Sequence, residues 1–71
     1  MQYQAIVEVL GYATGNERPV RIRTTDNQEI VGIPTSLDTH PTALEVYLHP
    51  EGADDAEIAV SLARILAVEM T

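Results

Sequence analysis

Residues 20–38, VRIRTTDNQEIVGIPTSLD, decide how this chain folds. Val20 and Ile22 alternate with Arg21 and Arg23, the period-two signature of a strand with one buried and one solvated face. The tetrapeptide TDNQ at 25–28 supplies a hairpin turn, because Asp and Asn tolerate positive φ better than most residues that carry a Cβ. A second strand begins at Glu29 and passes through Gly32. A glycine weakens a strand unless the backbone must bend, bulge or approach another segment closely. Pro34 cannot donate to a ladder and fits only at an edge or an irregularity. The stretch therefore predicts a hairpin whose second arm bends at Gly32, as a strand does when it curves from one side of a barrel to the other.

Working outward, DTHPT (38–42) reads as a turn, and ALEVYLH (43–49) as a strand with Leu44, Val46 and Leu48 inward and Glu45, Tyr47 and His49 outward. PEGADDAE (50–57) is a polar loop. In IAVSLARILAVEM (58–70), Ile58, Val60 and Leu62 recur at period two, a break follows around Ala63 to Ile65 that one turn of 3₁₀ helix would fill, and a last strand ends near Met70. Upstream, YQAIVEVLGYAT (3–14) fits two templates. Tyr3, Ile6, Val7, Leu10 and Ala13 would line one helix face, whereas Tyr3, Ala5, Val7 and Val9 alternate as in a strand. Gly15 at a C-cap position, with Pro19 soon after, favours the helix. The expected architecture is mainly β and occupies a single domain over 1–71. It has an N-terminal helix at 3–14 and a small five-stranded barrel at 20–70, closed so as to remove exposed edges. Leu37, Leu44, Val46, Val60 and Val68 hold the inward phase of their strands and form the predicted core.

At 71 residues a single core is barely sufficient, which favours a partner or a second copy, most simply a dimer. The absence of cysteine excludes disulfides, thiolate nucleophiles and Cys-ligated zinc, and is compatible with a reducing cytoplasm. The first residues lack a basic segment followed by an apolar one, and no apolar run is long enough to span a bilayer, so a cytoplasmic chain with no membrane association is expected. The formal charge is −7, from eleven acids and four bases, all of the bases arginine. Such a chain repels phosphate, which disfavours nucleic acid as a general partner. Charge is nevertheless sorted along the chain. Arg18, Arg21 and Arg23 lie close together, and Glu51, Asp54, Asp55 and Glu57 form an acidic run. Arg21, Arg23, Glu51, Asp54, Asp55 and Glu57 are the candidate partner-binding residues. His40 and His49 each precede a proline and read as locally hydrogen-bonded residues; no ligand spacing joins them to Asp38, Glu51 or Asp54 as a metal site. Ser36 and Ser61 lack a base in any motif, and no glycine-rich phosphate loop occurs. No cofactor and no catalytic activity are expected.

Residues 20–38 resemble the first signature of the Sm-like family, in which two alternating strands flank an Asp-Gly turn and a later Gly is followed by a hydrophobic residue and an Asp. Asp26, Gly32, Leu37 and Asp38 stand at those positions, with Asn27 in place of the turn glycine. The tail IAVSLARILAVE is similar to the closing strands of that barrel, and to the ends of the Rho-binding antiterminator and WYL-type barrels, which are also preceded by a helix. The resemblance implies an Sm-like or SH3-like barrel. Through the antiterminator it also implies an acidic regulatory module that occupies a basic, nucleic-acid-binding surface of a protein partner. An Sm-type homo-oligomer that binds RNA through Arg21 and Arg23 is the alternative. The Asn and the Arg-Gly pair with which Sm proteins contact RNA are replaced here by Thr42 and by SLAR (61–64), so those contacts do not carry over.

Overall fold

In the computed structural model, which describes residues 3–53 and 55–71, each predicted element forms. Helix α1 spans Gln4–Asn16, followed by strands β1 (Val20–Thr24), β2 (Glu29–Asp38), β3 (Glu45–Pro50) and β4 (Ile58–Ser61), a 3₁₀ turn at Leu62–Arg64, and β5 (Ile65–Met70). The strands make one antiparallel sheet in the order β4-β3-β2-β1-β5. The two edge strands, β4 and β5, are thus joined by three residues. In a flat sheet they would lie roughly 19 Å apart, four strand spacings, whereas four extended Cα steps reach at most about 14 Å. The sheet must curl to bring its edges together. Two hydrogen bonds hold the 3₁₀ turn in that corner: the Leu62 N–H donates to Leu44 O at 2.8 Å, and the Thr25 N–H to Arg64 O at 2.8 Å. No ladder joins β4 to β5 among the described residues, so the sheet is curled but not closed.

Gly32 is where the curl turns. Strand β2 pairs with β1 through Glu29–Gly32 and with β3 through Gly32–Asp38, so Gly32 alone faces both neighbours, Val20 on one side and Pro50 on the other. A Cβ placed on Gly32 would run into the His49 carbonyl oxygen, which shows why only glycine permits this approach. The register then shifts between Pro34 and Ser36, and Pro34 sits at that irregularity as its missing donor requires. In the turn between β1 and β2, Asn27 adopts φ 66°.

The interior is filled from both layers. Leu10 and Ala13 come from α1, Val20 and Ile22 from β1, Val46 and Leu48 from β3, and Val60, Leu62 and Ile65 from the closing segment. Tyr3, Ile6 and Val7 pack against this cluster, completing the helical face read from the sequence. Of the predicted strand core, Val46 and Val60 are buried, while Leu37, Leu44 and Val68 are partly buried at its margin. Leu44 is not a strand residue. It has φ 36° and precedes β3, with its carbonyl turned to the Leu62 amide. Gly15 is likewise not the helix cap. The helix continues through Gly15 to Asn16, where Thr14 Oγ1 and Asn16 Nδ2 back-bond to the carbonyls one turn earlier, Leu10 O at 2.7 Å and Tyr12 O at 2.8 Å. The left-handed residue is Glu17, φ 52°, whose amide returns to Ala13 O.

Candidate functional site

The outer face of the sheet carries the charge, and alternation decides which residues reach it. On the β1 side these are Arg21, Arg23, Glu29 and Glu69. Arg23 stands directly opposite Glu29, and Arg21 opposite Glu69. Arg21 Nη1 lies 3.0 Å from Glu69 Oε1, and Arg21 Nε lies 3.6 Å from Glu29 Oε1. Arg23 Nη2 is 3.6 Å from the second Glu29 oxygen. The two arginines singled out in the sequence are therefore brought together, and both are engaged by carboxylates of their own sheet. A second such arrangement closes the β1–β2 turn. Thr24 Oγ1 donates to Asp26 Oδ1, and Arg64 Nη2 lies 3.3 Å from Asp26 Oδ2. The Thr24 hydroxyl first, then the Asp26 backbone amide and the Arg64 charge, hold the Asp26 carboxyl below its ordinary value.

On the β3 side the rule is reversed. Asp38 stands directly opposite Glu45 on the outer face, a like-charge cross-strand pair. Tyr47 lies beside them, its Oη donating to Glu45 Oε1 at 2.6 Å. Thr35, at the register shift, has its Oγ1 2.8 Å from Glu57 Oε2 and 3.2 Å from Tyr47 O; its single proton serves the nearer, charged acceptor best. Asp38, Glu45 and Glu57 form no salt bridge among the described residues. Tyr47 registers their combined field. The hydrogen bond to Glu45 and the charges of Glu45, Asp38 and Glu57 push its phenol above the ordinary value.

Of the predicted acidic run, Glu57 joins this face through Thr35, while Glu51 and Asp55 are exposed on the β3–β4 loop. Asp54 lies outside the described residues. The loop folds back onto the sheet, with the Glu51 N–H donating to Val31 O at 2.8 Å and His49 Nδ1 donating to Ala56 O at 2.5 Å. His40 is held within its own turn by Asp38 and Thr42. Among the described residues no three metal-ligating side chains converge. No described helix is long and apolar enough to cross a membrane.

Reading the sequence alone placed Glu45 and Tyr47 outward but did not single out Asp38, Glu45 and Tyr47 as partner-binding residues. The signal was present in the spacing. Once 38–42 is a turn between antiparallel strands, Asp38 and Glu45 become opposite neighbours, and period-two alternation sets Tyr47 beside Glu45. No protein-family model, no curated protein and no solved structure matches the chain.

Proposed function

We propose that this chain is a non-enzymatic, cytoplasmic protein-binding module of the Sm-like or SH3-like barrel type. Its acidic outer face, Asp38, Glu45, Tyr47 and Glu57, occupies a basic surface of a partner protein, such as one that otherwise binds nucleic acid. The observation that carries this reading is the like-charge pair Asp38 and Glu45 in direct register. Opposed like charges destabilise a sheet, and the same chain places opposite charges in register on its other half, so the arrangement is better explained by an external cation than by folding. The helix-first order, the central position of β2 and the curl at Gly32 support the barrel type. Self-association through a free edge belongs to the same proposal. The ten residues of β4 and β5 include one charged side chain, Glu69, and it is already paired with Arg21, so little protects these edges from strand addition.

The test compares three immobilised forms in a native extract: wild type, an Asp38→Asn/Glu45→Gln/Glu57→Gln variant, and an Arg21→Ala/Arg23→Ala variant. Basic proteins retained by wild type, released by salt and lost with the first variant alone are the expected result. Retention indifferent to the acidic substitutions sinks the reading. Salt-sensitive RNA binding that is lost with the arginine variant would replace it with the Sm-type alternative.

A further inference from the structure

Beside the acidic face, the same sheet surface carries an apolar groove. Ile33 stands opposite His49 in register and is 40% exposed, among the few large apolar side chains that remain so open. A cleft of about 610 Å³ lies on one side of this pair, lined by Thr14, Glu17, Pro34 and Thr35. On the other side lies a smaller cleft of about 240 Å³, walled by Pro19, Pro50, Glu51 and Gly52. Two prolines, Pro19 and Pro50, wall the smaller cleft beside Ile33, while the Pro34 side chain is buried on the opposite face of the strand. Thr35 joins the groove to the acidic face, because its hydroxyl lies 2.8 Å from Glu57 Oε2, to which it donates, and 3.2 Å from the Tyr47 carbonyl oxygen.

The charge around the groove has one sign, with a single exception. Glu17 and Glu51 line it, and Glu57 is held at its margin by Thr35. The C-terminus of α1 also ends here. Its last turn contains no basic residue, and its cap is Glu17, so a carboxylate is added to the negative end of the helix dipole rather than a cation. Arg18, between Glu17 and Pro19, is the exception and leaves the rim net negative. A second copy of the chain is the wrong occupant for such a rim. It carries a formal charge of −7, and Arg21, Arg23 and Arg64 are committed to their own carboxylates.

Resting on the protein-binding reading above, we propose that the groove about Ile33 and His49 is the anchor of that interface. It takes an apolar side chain flanked by arginine or lysine from an extended segment of the basic partner. The apolar residue packs on Ile33 beside Pro19 and Pro50, and the flanking cations meet Glu17 and the α1 C-terminus on one side and Glu51 and Glu57 on the other. Affinity then comes from the buried apolar contact, and specificity from the acidic rim.

The experiment titrates the full isotope-labelled chain with a dye-labelled peptide of alternating arginine and leucine, followed by amide shifts and fluorescence anisotropy. An alternating glutamate and leucine peptide is the control. Shifts centred on residues 14–17, 33–35 and 49–52 are expected, with binding weakened about five-fold or more by Ile33→Thr, which keeps a β-branched side chain on an exposed site. Unchanged affinity in Ile33→Thr, or shifts centred on Tyr47, would overturn the groove as anchor and leave the protein-binding reading standing. Failure of wild type to bind the basic peptide saturably would remove both. Self-association of wild type that Ile33→Thr abolishes in sedimentation would make a second copy the occupant and overturn the proposal.

Discussion

Strand β2 gives its first residues to a half-sheet with β1 and β5 and its last residues to a half-sheet with β3 and β4, and the two halves treat charge in opposite ways. Around β1, each outward arginine faces a glutamate in register and the surface neutralises itself. Around β3, two acids face each other and the nearest hydroxyl groups, from Tyr47 and Thr35, are drawn into hydrogen bonds with carboxylates. Both halves share one core and one curvature, so the difference is not required by the fold. A half whose charges are satisfied internally is finished as a structure. A half whose charges are not is available to something else.

The comparison depends on a joint, and Gly32→Val should break it. The substitution drives a branched side chain into the His49 carbonyl, at the one residue that both half-sheets share. Backbone cannot move aside as a flexible side-chain tip can. A loss of about 3 kcal/mol or more, or failure to fold, is expected in denaturant melts. A melt like that of wild type would mean that the two halves are not joined through a close approach at this position.

Val46→Ala should weaken the β3 half next most severely. Val46 is fully buried between Leu37 on β2 and Val60 on β4, its register partners. Removing two methyl groups there costs about 1 to 3 kcal/mol by lost burial and residual cavity. A change of a few tenths would place Val46 outside the core.

Much of this frame was legible before any coordinates, and the reasons are local. The hairpin, Gly32, Pro34 and the 3₁₀ break each depend on backbone chemistry that a few neighbouring residues determine, so short windows of sequence reveal them. The helix was legible by its face of Tyr3, Ile6, Val7, Leu10 and Ala13, but not by its end. Gly15 stays helical, and the left-handed residue is Glu17, whose amide returns to Ala13 O. The fate of the arginines was hidden for a different reason. Glu69 is 48 residues from Arg21, and their pairing depends on the chain returning to put β5 beside β1. Charge read along the chain grouped Arg21 with Arg23 and Glu51 with Glu57, whereas charge read across the sheet assigns Glu29 and Glu69 to the arginines and adds Asp38 and Glu45 to Glu57.

Single charge removals sharpen the contrast by their sign. Arg21→Ala deletes a side chain that bridges Glu29 and Glu69 at an exposed site, and should destabilise by less than about 1 kcal/mol. Asp38→Asn keeps an oxygen to accept the His40 amide while removing the charge that faces Glu45, and should stabilise by about a few tenths of a kcal/mol. Both effects should shrink as salt is added, since both are electrostatic and exposed. Equal signs for the two would erase the distinction between the halves.

The smallest expected effect is also the most direct reading of the acidic half. The Tyr47 phenol is held above its ordinary value of 10.0, first by its hydrogen bond to Glu45, and further by the charges of Glu45, Asp38 and Glu57. A tyrosinate formed there would lose the hydrogen bond that Tyr47 Oη donates to Glu45 and would meet like charge on several sides. An ultraviolet titration of wild type should contain a tyrosinate transition above that value, and Tyr47→Phe should remove it. Glu45→Gln should move the transition down, because it replaces the carboxylate acceptor by a weaker neutral one and removes the Glu45 charge, while Arg21→Ala, on the other half-sheet, should leave it nearly in place. The linkage to stability has a definite sign. A pKa raised on folding contributes stability that is complete below the unfolded value and is lost as pH climbs through the folded one, so the contribution vanishes only in strong alkali. A Tyr47 transition at or below the ordinary value, or one indifferent to Glu45→Gln, would show that the carboxylates around it do not act as an uncompensated field, and the contrast between the two half-sheets would lose its electrostatic basis.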